Sequence, residues 1–136
     1  PRNLSEPNCP SADGCYVIDL VAPAAAGPAR FNLIGHPFSF DTEWADVRFE
    51  VNDSGTVTTY TPKQAEAANI AEKEMWIYNG NGYDVWDDDT PGMEGELEAQ
   101  DGVWVAVLNG AAGKTVKLLV PVFNTFGTPP PPPTLP

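Results

Sequence analysis

Two groups of side chains in this chain have the types and spacing to do chemistry. The first is aromatic: Trp76, Tyr78, Tyr83, Trp86 and Trp104 occur close to Asn79, Asn81 and Asp84. Sugar rings present apolar C–H faces that stack on indole and phenol planes while neighbouring amides and carboxylates bind hydroxyls, so this set points to carbohydrate. Tyr83 and Trp86 border a polar loop and are the leading ligand contacts; three residues apart, they start on opposite faces and can meet one ligand only if a bulge or the approach to Asp87 turns the strand. Trp76 and Tyr78, two apart in an extended segment, share one face and complete the candidate ligand set. The second group is acidic: Asp84, Asp87, Asp88, Asp89, Glu94 and Glu96, interrupted by Thr90-Pro91-Gly92. Clustered hard oxygen ligands are what Ca²⁺ takes, and a divalent ion would relieve the repulsion between bare carboxylates. Calcium is thus the one cofactor expectation, with Asp84, Asp87, Asp88, Asp89 and Glu94 as ligands. The spacing is not that of the helix-flanked calcium loop, which needs a central glycine and a terminal glutamate.

Each group has a structural counter-reading. Large aromatics fill the cores of small β-domains, which is the expected place of Trp44, Trp76 and Trp104. An acidic hairpin tip keeps a protein soluble and its edges unpaired. Catalysis has no candidate set. Ser54 sits in the turn sequence Asp53-Ser54-Gly55 rather than in a nucleophile elbow, and His36, the only histidine, is held between Gly35 and Pro37. A glycosidase pair is disfavoured because nothing near the consecutive Asp residues is expected to desolvate one and raise its pKa.

Composition narrows the partners. With 7 basic and 19 acidic residues the net charge is -12, which repels nucleic acid and anionic bilayers and leaves acidic, neutral-sugar or cationic partners open. The longest apolar runs, such as Leu118-Leu119-Val120, are far too short to span a membrane, and no membrane insertion is expected. The chain starts at Pro1 without an initiator Met or a basic-then-apolar leader, so any secretion signal is expected to have been removed or never included, and the start reads as a cut. Cys9 and Cys15 enclose Pro-Ser-Ala-Asp-Gly, a turn-rich loop that lets the thiols meet in a disulfide. Two reduced thiols or half of a zinc site are the alternatives, the latter short of nitrogen and sulfur ligands.

The elements that must position these groups are strands. Cys15–Val21, Phe31–Ile34, Val47–Val51 and Thr56–Tyr60 alternate or run apolar between turn signals, with Asn52-Asp53-Ser54-Gly55 as a hairpin turn. Pro62–Glu74, rich in Ala, Glu and Lys, is the single expected helix. Met75–Tyr78 and Tyr83–Trp86 form a second hairpin, and Gly102–Leu108 is expected to pair with Lys114–Val122 across Asn109–Gly113. In the strand after Gly102, Val103, Val105 and Val107 share one face and Trp104 and Ala106 the other. The sum is an all-β antiparallel sandwich, jelly-roll or immunoglobulin-like, with one short surface helix near 62–74. It divides into an arm (1–14) with the Cys9–Cys15 loop, the sandwich (15–123) and a Pro-rich segment (124–136). In the last, Pro129–Pro133 reads as a stiff polyproline II linker to another domain, or as a spacer or recognition tail.

The order Asn32-Leu33-Ile34-Gly35-x-Pro37-Phe38, then Trp44, then a Tyr78-Asn79 hairpin closing at Tyr83, then Gly102-Val103-Trp104-Val105, resembles a module attached to large secreted and surface proteins of bacteria. The chain differs from that pattern at His36, where asparagine is usual, in the helix-like insert, and in Asp87-Asp88-Asp89. The resemblance covers roughly Cys15 to Val122 and implies an extracellular, non-catalytic β-sandwich accessory domain. Found beside polysaccharide-degrading enzymes, adhesins and repeats, such a module would act as a carbohydrate-binding unit on a polysaccharide or cell-surface glycan. The alternative is a structural stalk or adhesin unit for spacing and attachment. A binding module should display a row or cleft of exposed aromatics, whereas a stalk should bury nearly all of them.

Overall fold

The computed structural model of the chain describes residues 2–3, 8–35, 42–93, 95–97 and 102–122. The expectations for His36, Glu94 and the segment 124–136 fall outside these residues. The described strands are β1 (Arg2–Asn3), β2 (Cys15–Leu20), β3 (Arg30–Gly35), β4 (Thr42–Glu43), β5 (Arg48–Asp53), β6 (Thr56–Tyr60), β7 (Ala71–Tyr78), β8 (Tyr83–Trp86), β9 (Glu96–Leu97), β10 (Gly102–Val107) and β11 (Thr115–Pro121), with one helix, α1 (Pro62–Ala67). They form a five-stranded sheet in the order β1-β2-β11-β5-β6, a four-stranded sheet β3-β10-β7-β8, and a ribbon β4-β9. Every pairing is antiparallel. This is the expected all-β sandwich.

Local chemistry explains the hairpins. At the β5–β6 turn Ser54 (φ 53°) and Gly55 (φ 99°) both take left-handed conformations, and Asn52 Oδ1 accepts the Gly55 N–H at 2.8 Å. At the β7–β8 turn Asn79 Oδ1 accepts from the N–H groups of Asn81 and Gly82, each at 3.0 Å, setting Tyr78 directly opposite Tyr83. The helix is shorter than its composition suggests. Thr61 and Gln64 form a capping box at its start, but the helix stops at Ala67, Asn69 turns left-handed (φ 58°), and Glu72-Lys73-Glu74 belong to β7. Sheet pairing that turns Ala71 and Met75 into the core outweighs the helix propensity of those residues.

The core lies between the two large sheets. Val103, Val105 and Val107 of β10, Met75 of β7, Phe49 of β5 and Val116, Leu118 and Val120 of β11 are essentially inaccessible. Each large apolar side chain buried there contributes roughly 1.5–3 kcal/mol. Trp44 is fully buried as expected; its Nε1–H donates to the Lys73 carbonyl at 2.6 Å and its ring meets Phe49 edge-on at 6.2 Å. One topological expectation fails. β10 and β11 do not pair; β10 lies between β3 and β7, and β11 between β2 and β5. Both strands carry a fully apolar face, so they serve the core better facing each other across it than side by side. The connection between them, fixed by Leu108 N–H to the Ile70 carbonyl, carries the chain from one sheet to the other.

Cys9 and Cys15 form a disulfide, with their Cα atoms 5.7 Å apart. The arm it closes is less irregular than its composition suggests. Arg2–Asn3 pairs with β2, Asn8 donates to Glu50 at 2.9 Å, and Ser11 Oγ donates to the Val122 carbonyl. Val122 N–H in turn donates to the Gly14 carbonyl at 2.8 Å, so the chain enters and leaves the sandwich at adjacent points.

Candidate functional site

Alternation along four strands decides which aromatics reach solvent. Ile34, Val103, Val105 and Met75 face the core, so Phe31, Leu33, Trp104, Trp76 and Tyr78 project from the opposite side of the four-stranded sheet. Tyr83, across from Tyr78, joins them. Phe31, Trp76, Tyr83 and Trp104, one ring from each strand, line a single apolar depression of about 390 Å³. Phe31 and Tyr83 are half exposed, at 51% and 52%, and Tyr78 at 61%. Ala106, opposite Phe31 in register, presents only a methyl group on this side. The Phe31 and Trp76 rings, on the two flanking strands, meet at a centroid distance of 6.3 Å and an angle of 79°. Tyr78 and Tyr83 form a second edge-on pair at 5.5 Å, and the Tyr78 hydroxyl donates to the Gly80 carbonyl at 3.0 Å.

Three of the four expected ligand residues, Trp76, Tyr78 and Tyr83, therefore come together, and Trp86 does not. Trp86 lies opposite Met75 and packs against the core. It is held there by Gly95, where an added Cβ would fall 2.4 Å from Trp86 Cγ. Being three residues apart in a strand without a bulge puts Tyr83 and Trp86 on opposite faces. Trp104 and Phe31 take its place. The core reading fails for Trp76 and Trp104 together: paired in register, both lie on the outer face, as the alternation Val103-Trp104-Val105 requires once the valines are inside. The signal for Phe31 was its two-residue spacing from Leu33, hidden because an Asn-Leu-Ile run reads as uniformly buried. The indole N–H of Trp76 is itself buried without a hydrogen-bond partner, a cost of about 1–3 kcal/mol that the fold accepts at this position.

The acidic loop is built differently. Asp87 is buried at 4% exposure and accepts from Thr90 Oγ (2.6 Å), Thr90 N–H (2.7 Å) and Asp89 N–H (3.1 Å). Burial pushes its carboxyl up, but these hydrogen bonds and the Lys73 ammonium outweigh it and leave the pKa below the ordinary value. Asp89 pairs with Lys73 at 2.9 Å and Lys63 at 3.5 Å. Asp88 accepts the Lys63 backbone N–H at 3.1 Å, while its other oxygen is buried without a partner. Burial raises the Asp88 pKa, contrary to the expectation that nothing in this loop would desolvate a carboxylate. Asp84 is occupied elsewhere, accepting from Asn79 at 3.0 Å.

Lys63 and Lys73 thus supply the positive charge for which calcium was the candidate. Among the described residues no group of three His, Cys, Asp or Glu side chains is arranged to hold a metal ion. The depression that Asp87 lines is shared with Glu43, Ala45, Gly95 and Glu96 rather than with Asp88. Among the described residues no helix is long and apolar enough to cross a membrane. Comparison with protein-family models, curated proteins and solved structures finds no match.

Proposed function

We propose that this chain is a non-catalytic accessory module of a secreted or surface bacterial protein, binding carbohydrate through the outer face of its four-stranded sheet. The observation that carries the reading is the apolar depression formed by one aromatic ring from each of the four strands. Four strands at about 4.8 Å spacing make a track of roughly 14 Å, long enough for a few consecutive sugar rings. Partly exposed rings of this size are unusual on a sheet face that water alone covers. A stalk, the other reading, would bury its aromatics and separate its points of chain entry and exit, whereas Gly14 and Val122 are hydrogen-bonded neighbours. The Cys9–Cys15 disulfide fits an oxidising, extracellular setting.

The test is a pull-down against insoluble polysaccharides combined with affinity electrophoresis in soluble ones. Retention by at least one glycan, lost in Trp76→Ala and Tyr83→Ala but kept in Trp86→Leu, is the expected result. Failure to bind any glycan, or binding unaffected by both ring deletions, would refute it.

A further inference from the structure

We propose that the aromatic face takes a polysaccharide bearing free amines, an amino-sugar polymer recognised by cation–π contact as well as by stacking; the inference rests on the carbohydrate reading above. Ring geometry is the first argument. Phe31 and Trp76 stand at 79° to each other, so they do not make one flat platform for the broad face of a neutral chain. They make a corner over the depression of about 390 Å³ that they share with Tyr83 and Trp104, and a substituent off the sugar ring can meet ring faces from more than one direction there. Ring faces are electron-rich, and a cation within about 6 Å of a centroid is attracted to them.

Charge is the second argument. The chain carries 19 acidic and 7 basic residues, and Lys63, Lys73 and Lys114 are already engaged with Asp89 and Asp53. The field around the domain therefore gathers cations and repels polyanions such as uronic-acid or sulfated chains.

Affinity electrophoresis with chitosan, with the same polymer N-acetylated, with a neutral soluble β-glucan and with polylysine tests the proposal on the whole chain. Chitosan should bind best, N-acetylation should weaken binding about two- to thirtyfold, the range of a cation–π contact, and added salt should weaken it further. Trp76→Ala should lose chitosan, and Tyr83→Ala serves as the second variant should Trp76→Ala fail to give a normal melting transition. Equal binding of chitosan, its acetylated form and the β-glucan would overturn the amine requirement and leave the carbohydrate reading standing. Binding to none of the glycans would overturn both. Chitosan binding that survives the ring deletions, or polylysine bound as well as chitosan, would reduce the effect to net charge and overturn the proposal.

Discussion

The two large sheets share a core and differ on their outer faces. On the five-stranded sheet, the strand positions opposite the core hold Asp19, Arg48, Glu50, Asn52 and Lys117 together with the aliphatic Val17, Leu119 and Val57, and the disulfide-closed arm reaches this side through Asn8 and Glu50. This face is mixed polar and aliphatic, and among the described strand residues it carries no aromatic ring. On the four-stranded sheet the same positions hold Phe31, Leu33, Trp76, Tyr78, Tyr83 and Trp104. The core between the sheets is filled by the inner residues of each, so the rings of the four-stranded sheet are not needed to close it. Apolar surface that the core does not use is what a binding face needs.

The largest expected effect contrasts two tryptophans. Trp44→Ala empties a fully buried site and removes the hydrogen bond to the Lys73 carbonyl, and it should cost about 3–5 kcal/mol in denaturant unfolding. Trp104→Ala, on the outer face and only partly buried, should cost clearly less than Trp44→Ala and weaken ligand binding as well. Equal losses of stability would mean that the two faces are not distinct. Next in size is Gly95→Ala. Its methyl group would run into the Trp86 ring, and overpacking of this kind costs about 1–3 kcal/mol, readable as a lowered melting temperature. Glycan binding should be unchanged, since Trp86 belongs to the inner side.

Much of this was legible in the strand sequences. Val103-Trp104-Val105-Ala106-Val107 separates its two faces by period alone, and the Asn52–Gly55 and Asn79–Gly82 turns fixed two hairpins before any tertiary contact was considered. What was not legible depended on partners distant in the chain. The segment from β10 to β11 looks like a hairpin, because a local window cannot tell pairing within a sheet from facing across a core. Glu72-Lys73-Glu74 has helical composition, and only the pairing of Ala71 and Met75, on either side of it, with β10 draws it into a strand. The carboxylates at 87–89 looked uncompensated because Lys63 and Lys73 lie far off in sequence. Trp86 was assigned to the ligand from its nearness to a polar loop, whereas the two-residue period already set it against Tyr83.

Smaller effects should come from the acidic loop, which serves the fold and not the aromatic face. The lowered Asp87 pKa means that its contribution to stability is present above the ordinary carboxylate range and is lost as pH falls through the folded-state value. Asp87→Asn should therefore flatten the acid limb of the stability curve. Asp88, whose pKa is raised, works in the opposite sense: it favours the fold when protonated and opposes it as pH rises through its folded value. Asp88→Asn should stabilise the protein at neutral pH by up to about 1 kcal/mol, because it removes a partly buried charge whose second oxygen lacks a partner. The smallest effect is that of calcium. With Asp89 paired to Lys63 and Lys73, melting curves in millimolar calcium and in excess chelator should superimpose; a rise in melting temperature with calcium would reinstate the loop as a metal site.

The most direct measurement follows the indole N–H resonances of Trp44, Trp76, Trp86 and Trp104 in proton–nitrogen NMR spectra while a bound glycan is titrated in. The aromatic-face account predicts that the Trp76 and Trp104 signals shift or broaden in proportion to saturation while those of Trp44 and Trp86 stay in place. Binding accompanied by shifts at Trp44 or Trp86, with Trp76 and Trp104 unmoved, would contradict it.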